Sequence, residues 1–248
     1  MFGGSFNPVH NGHLELAKAV HEQAGYDKVL FVPAYHSPFK SMPSGASDDD
    51  RLRMLHLALD SLDWAFIEDC ELRRGGMSYT YETVEFLEQK YAASGELTGK
   101  LGLVIGADLL AGFMHWHRAE DLVVKVDVIL ARRKLENGAT VPESGTVAPH
   151  AEFEASCICM PETGAIAGMS AQKTLQSVES VETAETVQSG TILPFVQYKL
   201  QNPYVDVSSS EIRSAVHEAS GSAVSKKKLL ALVPEGVCDY ILERGLYD

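Results

Sequence analysis

A chain of 248 residues is long enough to bury a sizeable core, as one large domain or two small ones. Its 45% hydrophobic and 22% charged residues are typical of a globular protein and exclude a disordered or fibrous chain. The formal net charge of −13 argues against a dedicated nucleic-acid-binding protein, which would present a basic surface to the phosphates.

No apolar run is long enough to cross a bilayer, and no basic flank followed by an apolar run opens the chain. We therefore expect neither a membrane anchor nor a secretion signal. The spacing of the cysteines matches neither a disulfide framework nor two halves of a zinc site. The cysteines are Cys70, Cys157, Cys159 and Cys238. Reduced thiols predict a cytoplasmic protein.

Short apolar runs alternate with longer amphipathic ones, which predicts a parallel sheet covered by helices. The predicted strands are 29–32, 64–67, 101–105 and 128–131. Helical patterns run from about 13 to 24, from the aspartates at 48–50 as far as 62, and from 81 to 91. This order favours an α/β fold with a Rossmann-like, doubly wound parallel sheet.

The composition changes between residues 136 and 194, where Gly, Ser, Thr and Glu become frequent and the hydrophobic periodicity is lost. Residues 155–160 are a candidate strand within this stretch. We interpret 136–194 as a variable insertion within a single domain spanning 1–248. Regular patterns return in a strand at 195–198, a helix after the serines at 208–210 and a last helix at 234–244. The lysines at 226–228 are interpreted as a solvated helix face.

The segment that most strongly indicates a functional site is residues 3–13, GGSFNPVHNGH. Gly3 and Gly4 allow the backbone to turn tightly and to approach a ligand closely. His10 and His13 lie three residues apart where a helix begins, so both imidazoles can share one face beside the free N–H groups of the first turn. These donors together predict a phosphate-binding site.

Two other interpretations of this segment stay open. The glycines could form only a turn while the histidines cap the helix, or the histidines could bind zinc. A zinc enzyme usually adds a third ligand and a general base, as in H-E-x-x-H, whereas residue 11 is Asn.

The pattern GGSFxPxHxGH resembles the signature of the nucleotidyltransferase α/β-phosphodiesterase superfamily, with its H-x-G-H element at residues 10–13. Within it, the chain resembles the bacterial nicotinate-nucleotide adenylyltransferases over nearly all of its length outside the insertion. Later segments resemble motifs of that family: 37–40 (SPFK), 71–80 (ELRRGGMSYT), 105–108 (IGAD) with Trp116, 207–213 (VSSSEIR), and 233–247 with its V-P and L-Y ends.

The resemblance implies transfer of AMP from ATP to nicotinate mononucleotide in NAD biosynthesis, with release of pyrophosphate. It implies His10, His13 and Arg213 as catalytic residues on the ATP phosphates. The other ATP-binding residues it implies are Gly3, Gly4, Ser5, Phe6, Gly106, Asp108, Ser209 and Ser210. The acceptor-binding residues it implies are Lys40, Thr80 and Trp116. Mg²⁺ is expected to bridge phosphates while mostly hydrated, without protein ligands.

Some of these assignments have alternatives. Asp108 could instead cap a helix, and Trp116 could be a core aromatic. The chain departs from the family pattern at four positions: Phe39 replaces His, His115 and His117 replace Thr and an aromatic, and Ser210 replaces Thr. Relatives also carry several strand residues before the Phe-Gly-Gly sequence, so we expect native residues upstream of Met1 to complete that strand.

Other functions remain in view. The strongest alternative is adenylyl transfer to nicotinamide mononucleotide, because the sequence hardly distinguishes a site for the carboxylate of one acceptor from a site for the amide of the other. Phosphopantetheine adenylyltransferases are shorter and lack two of the matched segments. A catalytically silent nucleotide-binding regulator and a metal-dependent hydrolase are weaker candidates. Self-association is left open.

Overall fold

The computed structural model describes residues 1–35, 45–131, 196–200, 207–217 and 223–247. Lys40, the insertion at 136–194 and the candidate strand at 155–160 lie outside these residues. The assignment of one domain with an insertion therefore stays a prediction. Elements are numbered below in chain order among the described residues.

The strands form two three-stranded parallel groups that meet in the middle of the molecule. The strands are β1 (Phe2–Gly4), β2 (Val29–Pro33), β3 (Ala65–Ile67), β4 (Gly102–Gly106), β5 (Asp127–Ala131) and β6 (Val196–Lys199). In one group β2 pairs with both β1 and β3, and in the other β5 pairs with both β4 and β6.

Two hydrogen bonds connect these groups across β1 and β4. The Met1 nitrogen donates to the Gly102 carbonyl at 2.6 Å, and the Val104 N–H donates to the Met1 carbonyl at 3.0 Å. The strand order is therefore β3-β2-β1-β4-β5-β6, which confirms the predicted doubly wound sheet. In such a sheet ligands bind beyond the carboxyl ends of the strands where the order reverses, here at Gly4 and Gly106.

Helices cover both faces of this sheet. They are α1 (Asn11–Gln23), α2 (Asp48–Leu59), α3 (Cys70–Arg74), α4 (Thr80–Ala93), a 3₁₀ helix (Ala107–His115), α5 (Ala119–Lys125), α6 (Ser209–His217), α7 (Ala223–Leu232) and α8 (Glu235–Arg244). Within the described part of the chain, no helix has the length and apolar character needed to span a membrane. The predicted helices exist, but α2 ends before residue 62 and α4 is longer than its pattern.

Two helix starts differ from the sequence prediction because caps fix them. α1 begins at Asn11, with His10 as the N-cap residue, rather than near residue 13. α6 begins at Ser209, so the prediction that it starts after the serine run was wrong. The Ser208 hydroxyl accepts from the Glu211 N–H at 3.2 Å, and the Glu211 carboxylate accepts from the Ser208 N–H at 2.8 Å. This reciprocal cap holds the start within the serines.

The core has one cluster on each face of the sheet. Along β2, Val29 and Phe31 belong to one cluster, and Leu30 and Val32 belong to the other. Such a strand is buried on both faces, as parallel strands between helices are. The first cluster joins β1 and the following loop to α1, α2 and the C-terminal helices. The C-terminal part of the chain therefore packs directly behind residues 5–10.

Asp50 connects α2 to the last helix. Its carboxylate accepts from the Ser47 hydroxyl at 2.6 Å, from the Tyr240 hydroxyl at 2.8 Å and from Arg244 at 3.4 Å. The residue is only 5% exposed. Burial alone would raise the pKa of Asp50, but the hydrogen bonds from Ser47 and Tyr240 and the charge of Arg244 hold it below its usual value.

This arrangement predicts an acid-sensitive contribution to stability from Asp50. Because its folded pKa lies below the unfolded value, Asp50 stabilises the fold above a pH of about 4 and loses that contribution as the pH falls further. Urea unfolding should show a difference between wild type and Asp50→Asn that is largest near neutral pH and shrinks in acid. Asp49→Asn, an exposed carboxylate in the same helical turn, is the control. Identical pH profiles for the two variants would contradict this role.

Candidate active site

The loop between β1 and α1 meets the beginning of α6. Arg213 donates from Nη1 to the Asn7 carbonyl at 2.7 Å, and the Ser209 hydroxyl donates to the Pro8 carbonyl at 2.9 Å. Arg213 also donates from Nη2 to the Ser210 hydroxyl at 3.0 Å. The structure thus brings together the two predicted parts of the site, although 206 positions separate Asn7 from Arg213.

The two histidines of the motif are stacked on one another. Their ring centroids lie 3.6 Å apart and their planes are inclined by 26°. The His10 backbone N–H donates to Nδ1 of His13 at 3.2 Å. Because Nδ1 accepts this bond, the proton of a neutral His13 ring is assigned to Nε2, which is then a donor. His10 is 7% exposed, while His13 is half-buried. The capping interpretation therefore describes this pair, and phosphate binding by the two rings stays a prediction.

The Phe6 ring packs against the His13 ring. Its centroid lies 5.0 Å from that of His13 in an edge-to-face arrangement, and 5.5 Å from those of both Phe2 and Phe31. Phe6 is fully buried, with a φ of 44°. Phe6 therefore belongs to the core, and neither its ring nor its backbone is exposed to a ligand, in contrast to its predicted place among the ATP-binding residues.

A buried arginine fixes the other end of the loop. Arg51 of α2 is fully buried and donates from Nη1 to the Ser5 carbonyl at 2.7 Å. Its Nη2 donates to Asp48 at 2.6 Å, which balances the buried positive charge. Ser5 itself is half-buried.

The end of β4 lies beside the end of β1. Gly106 is half-buried and is the N-cap residue of the 3₁₀ helix. Asp108 is exposed in the first turn of that helix. The capping position thus falls to Gly106 rather than Asp108, and the Asp108 carboxylate lies on the surface near the strand ends.

Two of the three predicted acceptor residues, Thr80 and Trp116, lie within the described residues. Thr80 is half-buried at the first position of α4. Trp116 is also half-buried, packs against the second core cluster and has its ring centroid 5.0 Å from that of Phe113. Trp116 is thus partly a core residue. Next to it, the exposed His117 ring lies 4.5 Å from the Tyr79 ring.

Arg51 is a buried functional candidate that the sequence analysis missed, although the sequence contains a pattern that indicates it. Arg51, Met54, Leu55 and Ala58 share one face of α2, at the spacing of an apolar stripe, and all four are buried. An arginine at the first position of such a stripe indicates a buried charge with specific partners. Asn7 and Tyr247 left no comparable signal.

The packing of Phe6 predicts different effects at the two glycines of the motif. A Cβ at Gly4 would lie 3.0–3.3 Å from three atoms of the Phe6 ring, whereas one at Gly3 would meet only Met1 Cε at 3.9 Å. Because Phe6 is enclosed by other aromatic rings, Gly4→Ala should lower the unfolding free energy by about 1–3 kcal/mol, while Gly3→Ala should not. Chemical unfolding of both variants measures this. A stable Gly4→Ala variant would show that the Phe6 ring can move.

Comparison with known proteins places this arrangement in a family. The chain matches the cytidylyltransferase-like family over residues 1–215. It is 38% identical over 247 residues to the Treponema pallidum (strain Nichols) protein named "Probable nicotinate-nucleotide adenylyltransferase", covering 100% of this chain and 97% of that protein. A protein of the same name from Hydrogenobaculum sp. (strain Y04AAS1) is 42% identical over 136 residues, 55% of this chain and 68% of that protein.

A solved structure shares the fold. The nicotinic acid mononucleotide adenylyltransferase of Plasmodium falciparum, complexed with NaAD, superposes with a TM-score of 0.63 at 16% identity, covering 100% of this chain and 95% of that one. The family match over residues 1–215 and the full-length relative at 38% identity identify the family, and the solved structure supports the fold. The chain therefore belongs to the cytidylyltransferase-like family and, within it, to the nicotinate-nucleotide adenylyltransferases.

Proposed function

We propose that this enzyme transfers AMP from ATP to nicotinate mononucleotide, giving nicotinate adenine dinucleotide and pyrophosphate. The observation that carries the proposal is that the loop leading to the stacked His10 and His13 is hydrogen-bonded to Arg213 and Ser209 of α6, at the point where the strand order reverses. The full-length Treponema pallidum relative supports the same reaction by its name.

The reaction needs no nucleophile from the enzyme. A phosphate oxygen of the acceptor mononucleotide, already ionised at neutral pH, forms a bond to the α-phosphorus of ATP. The bond from the α-phosphorus to the oxygen bridging to the β-phosphorus breaks, and its electrons leave with pyrophosphate. Catalysis then depends on holding two anions in line and on stabilising the charge of the leaving group.

His10, His13 and Arg213 supply that stabilisation in our proposal. His13 presents its Nε2–H because Nδ1 is occupied by the His10 N–H. The first turn of α1 adds backbone N–H groups and the positive end of the helix dipole. Arg213 has further N–H donors beyond the two bonded to Asn7 and Ser210. This local set of donors would hold the triphosphate in a chain whose net charge is −13.

The serines of α6 have a more structural place in the proposal. The Ser209 hydroxyl donates to the Pro8 carbonyl, so only its oxygen lone pairs and its backbone N–H remain for other partners. Ser210 accepts from Arg213 and can still donate to a phosphate. Gly3, Gly4 and Ser5, with Gly106 and Asp108 at the neighbouring strand end, complete the proposed ATP contacts.

Mg²⁺ enters the proposal with ATP rather than as a resident ion. Among the residues that the structure describes, no group of three or more His, Cys, Asp or Glu side chains is placed to hold a metal. Mg²⁺ binds phosphate oxygens while keeping several waters and would offset charge on the triphosphate when bound. We assign it no protein ligand.

Acceptor recognition is assigned to Thr80 and Trp116, with Lys40 as an additional phosphate contact outside the described residues. The exposed part of the Trp116 indole can stack on a pyridine ring, and backbone amides at the start of α4 can bind a carboxylate. We place the reaction in the cytoplasm, without a nucleic-acid partner. Self-association stays untested.

A coupled assay for pyrophosphate release tests the acceptor. With ATP and each mononucleotide in turn, we expect kcat/KM for nicotinate mononucleotide to exceed that for nicotinamide mononucleotide by at least about tenfold, or about 1.4 kcal/mol. The reason is that amides at the site would pair with a carboxylate better than with another amide. Equal rates would overturn the acceptor assignment and leave the adenylyl transfer intact.

His13 can be tested separately for capping and for catalysis. His13→Asn places an amide oxygen near the position of Nδ1 and keeps the cap, whereas His13→Ala removes both ring nitrogens. We expect either variant to lower kcat by roughly two orders of magnitude, because each removes the Nε2 donor. The melting temperature should fall only for His13→Ala. A His13→Asn variant with wild-type turnover would show that the imidazole serves only as a cap.

A further inference from the structure

A tyrosine of the C-terminal segment is hydrogen-bonded to the loop formed by residues 5–8, which follows β1. The Tyr247 hydroxyl donates to Oδ1 of Asn7 at 2.6 Å, across 240 positions of sequence. Asn7 is fully buried and Tyr247 is 8% exposed. The bond therefore lies inside the protein, where it is not exchanged for bonds to water.

Asn7 is held at both its side chain and its backbone. While Tyr247 binds the amide oxygen, Arg213 binds the Asn7 carbonyl at 2.7 Å. Arg213 is one of the residues to which we assign the phosphates. A shift of Asn7 would therefore move the guanidinium and the loop relative to one another.

The carbonyls on either side of Asn7 are held as well, so the buried backbone around it has little freedom to move. Arg51 holds the Ser5 carbonyl, and Ser209 holds the Pro8 carbonyl. In a trans peptide the C=O of one residue and the N–H of the next point in opposite directions. Fixing the Ser5 and Pro8 carbonyls thus fixes the N–H directions of Phe6 and Val9, one on each side of Asn7.

A tight turn after α8 positions Tyr247. Gly245 adopts a left-handed conformation with φ of 58°, and Leu246 donates back to the Ile241 carbonyl at 3.0 Å. This turn reverses the chain after the helix. A Cβ at Gly45 would lie 2.8 Å from the Tyr247 ring, so the glycine allows close packing there. Burial raises the pKa of the Tyr247 phenol, which keeps it a donor.

We propose that Tyr247 is a positioning residue for the adenylyl transfer proposed above, on which this inference rests. Through Asn7 it sets the distance between the imidazoles of His10 and His13 and the Arg213 guanidinium. It touches no substrate. Its removal should leave ATP binding nearly intact and lower the rate at which correctly bound substrates react.

Tyr240 provides a matched control. Its hydroxyl also donates to a largely buried acceptor, Asp50, at 2.8 Å, and it lies in the same C-terminal segment. Its acceptor belongs to α2 and not to the loop 5–8. Tyr247→Phe and Tyr240→Phe delete the same atom, in a buried bond to an amide and in a part-buried bond to a carboxylate, and only the first should affect the site.

The test compares kcat and KM of both variants with those of the wild type, well below the lower melting temperature. We expect Tyr247→Phe to lower kcat by roughly tenfold or more with KM for ATP within about twofold, because small misplacements in a two-anion site are costly. Tyr240→Phe should keep kcat within about twofold of wild type even though it also loses a tertiary hydrogen bond and thermal stability. Equal effects of the two variants on kcat, or none, would overturn the proposal.

A double-mutant cycle checks the route through Asn7. If Tyr247 acts through the Asn7 amide, Tyr247→Phe should cost little further kcat when added to Asn7→Ala. Independent, multiplying losses would show that Tyr247 acts through other contacts and would refute the proposed route.

A readout without turnover separates this inference from the proposed function. In protein labelled with ¹⁵N-histidine, Tyr247→Phe should shift the imidazole signals of His10 and His13, assigned from variants, and Tyr240→Phe should not. If Tyr247→Phe causes these shifts but the wild type turns over neither mononucleotide, the proposed function alone is rejected. Turnover without a specific effect of Tyr247→Phe would reject the inference alone.

Discussion

The site depends on the capture of backbone carbonyls at residues 5, 7 and 8 by side chains from distant parts of the chain. A loop that leaves a central strand is buried from behind, and each buried carbonyl needs a donor. Arg51, Arg213 and Ser209 provide those donors. Because two of the three come from α6, the loop 5–8 that follows β1 reaches its observed conformation only when the C-terminal helices are packed behind it.

The same contacts explain how an acidic chain can offer a site to anions. Carboxylates close in the fold to the loop are already bound: Asp48 accepts from Arg51, and Asp50 accepts from Tyr240 and Arg244. Glu211 is bound to Ser208 at the start of α6. A negative charge that is paired nearby contributes little field at a distance. The net charge of −13 therefore need not oppose phosphate binding.

Periodicity and local motifs predicted the sheet, the main helices and the H-x-G-H segment, because these signals lie within short stretches of sequence. The short helices α3 and α5 were missed, since Cys70–Arg74 and Ala119–Lys125 are too brief for a periodic pattern. The burial of Phe6 and the bond between Asn7 and Tyr247 could not be predicted, because both are tertiary contacts. The family resemblance, rather than any local pattern, indicated that Arg213 would meet the N-terminal loop.

The use of histidine at the third position of α1 resolves a conflict between capping and anion binding. A reciprocal helix cap usually places a carboxylate at this position, as Glu211 does in α6. A carboxylate at the start of α1 would repel a phosphate bound to the same helix end. His13 accepts from the His10 N–H through Nδ1 without adding a negative charge. Its opposite nitrogen then carries the proton and can donate, so one side chain serves both the helix and the ligand.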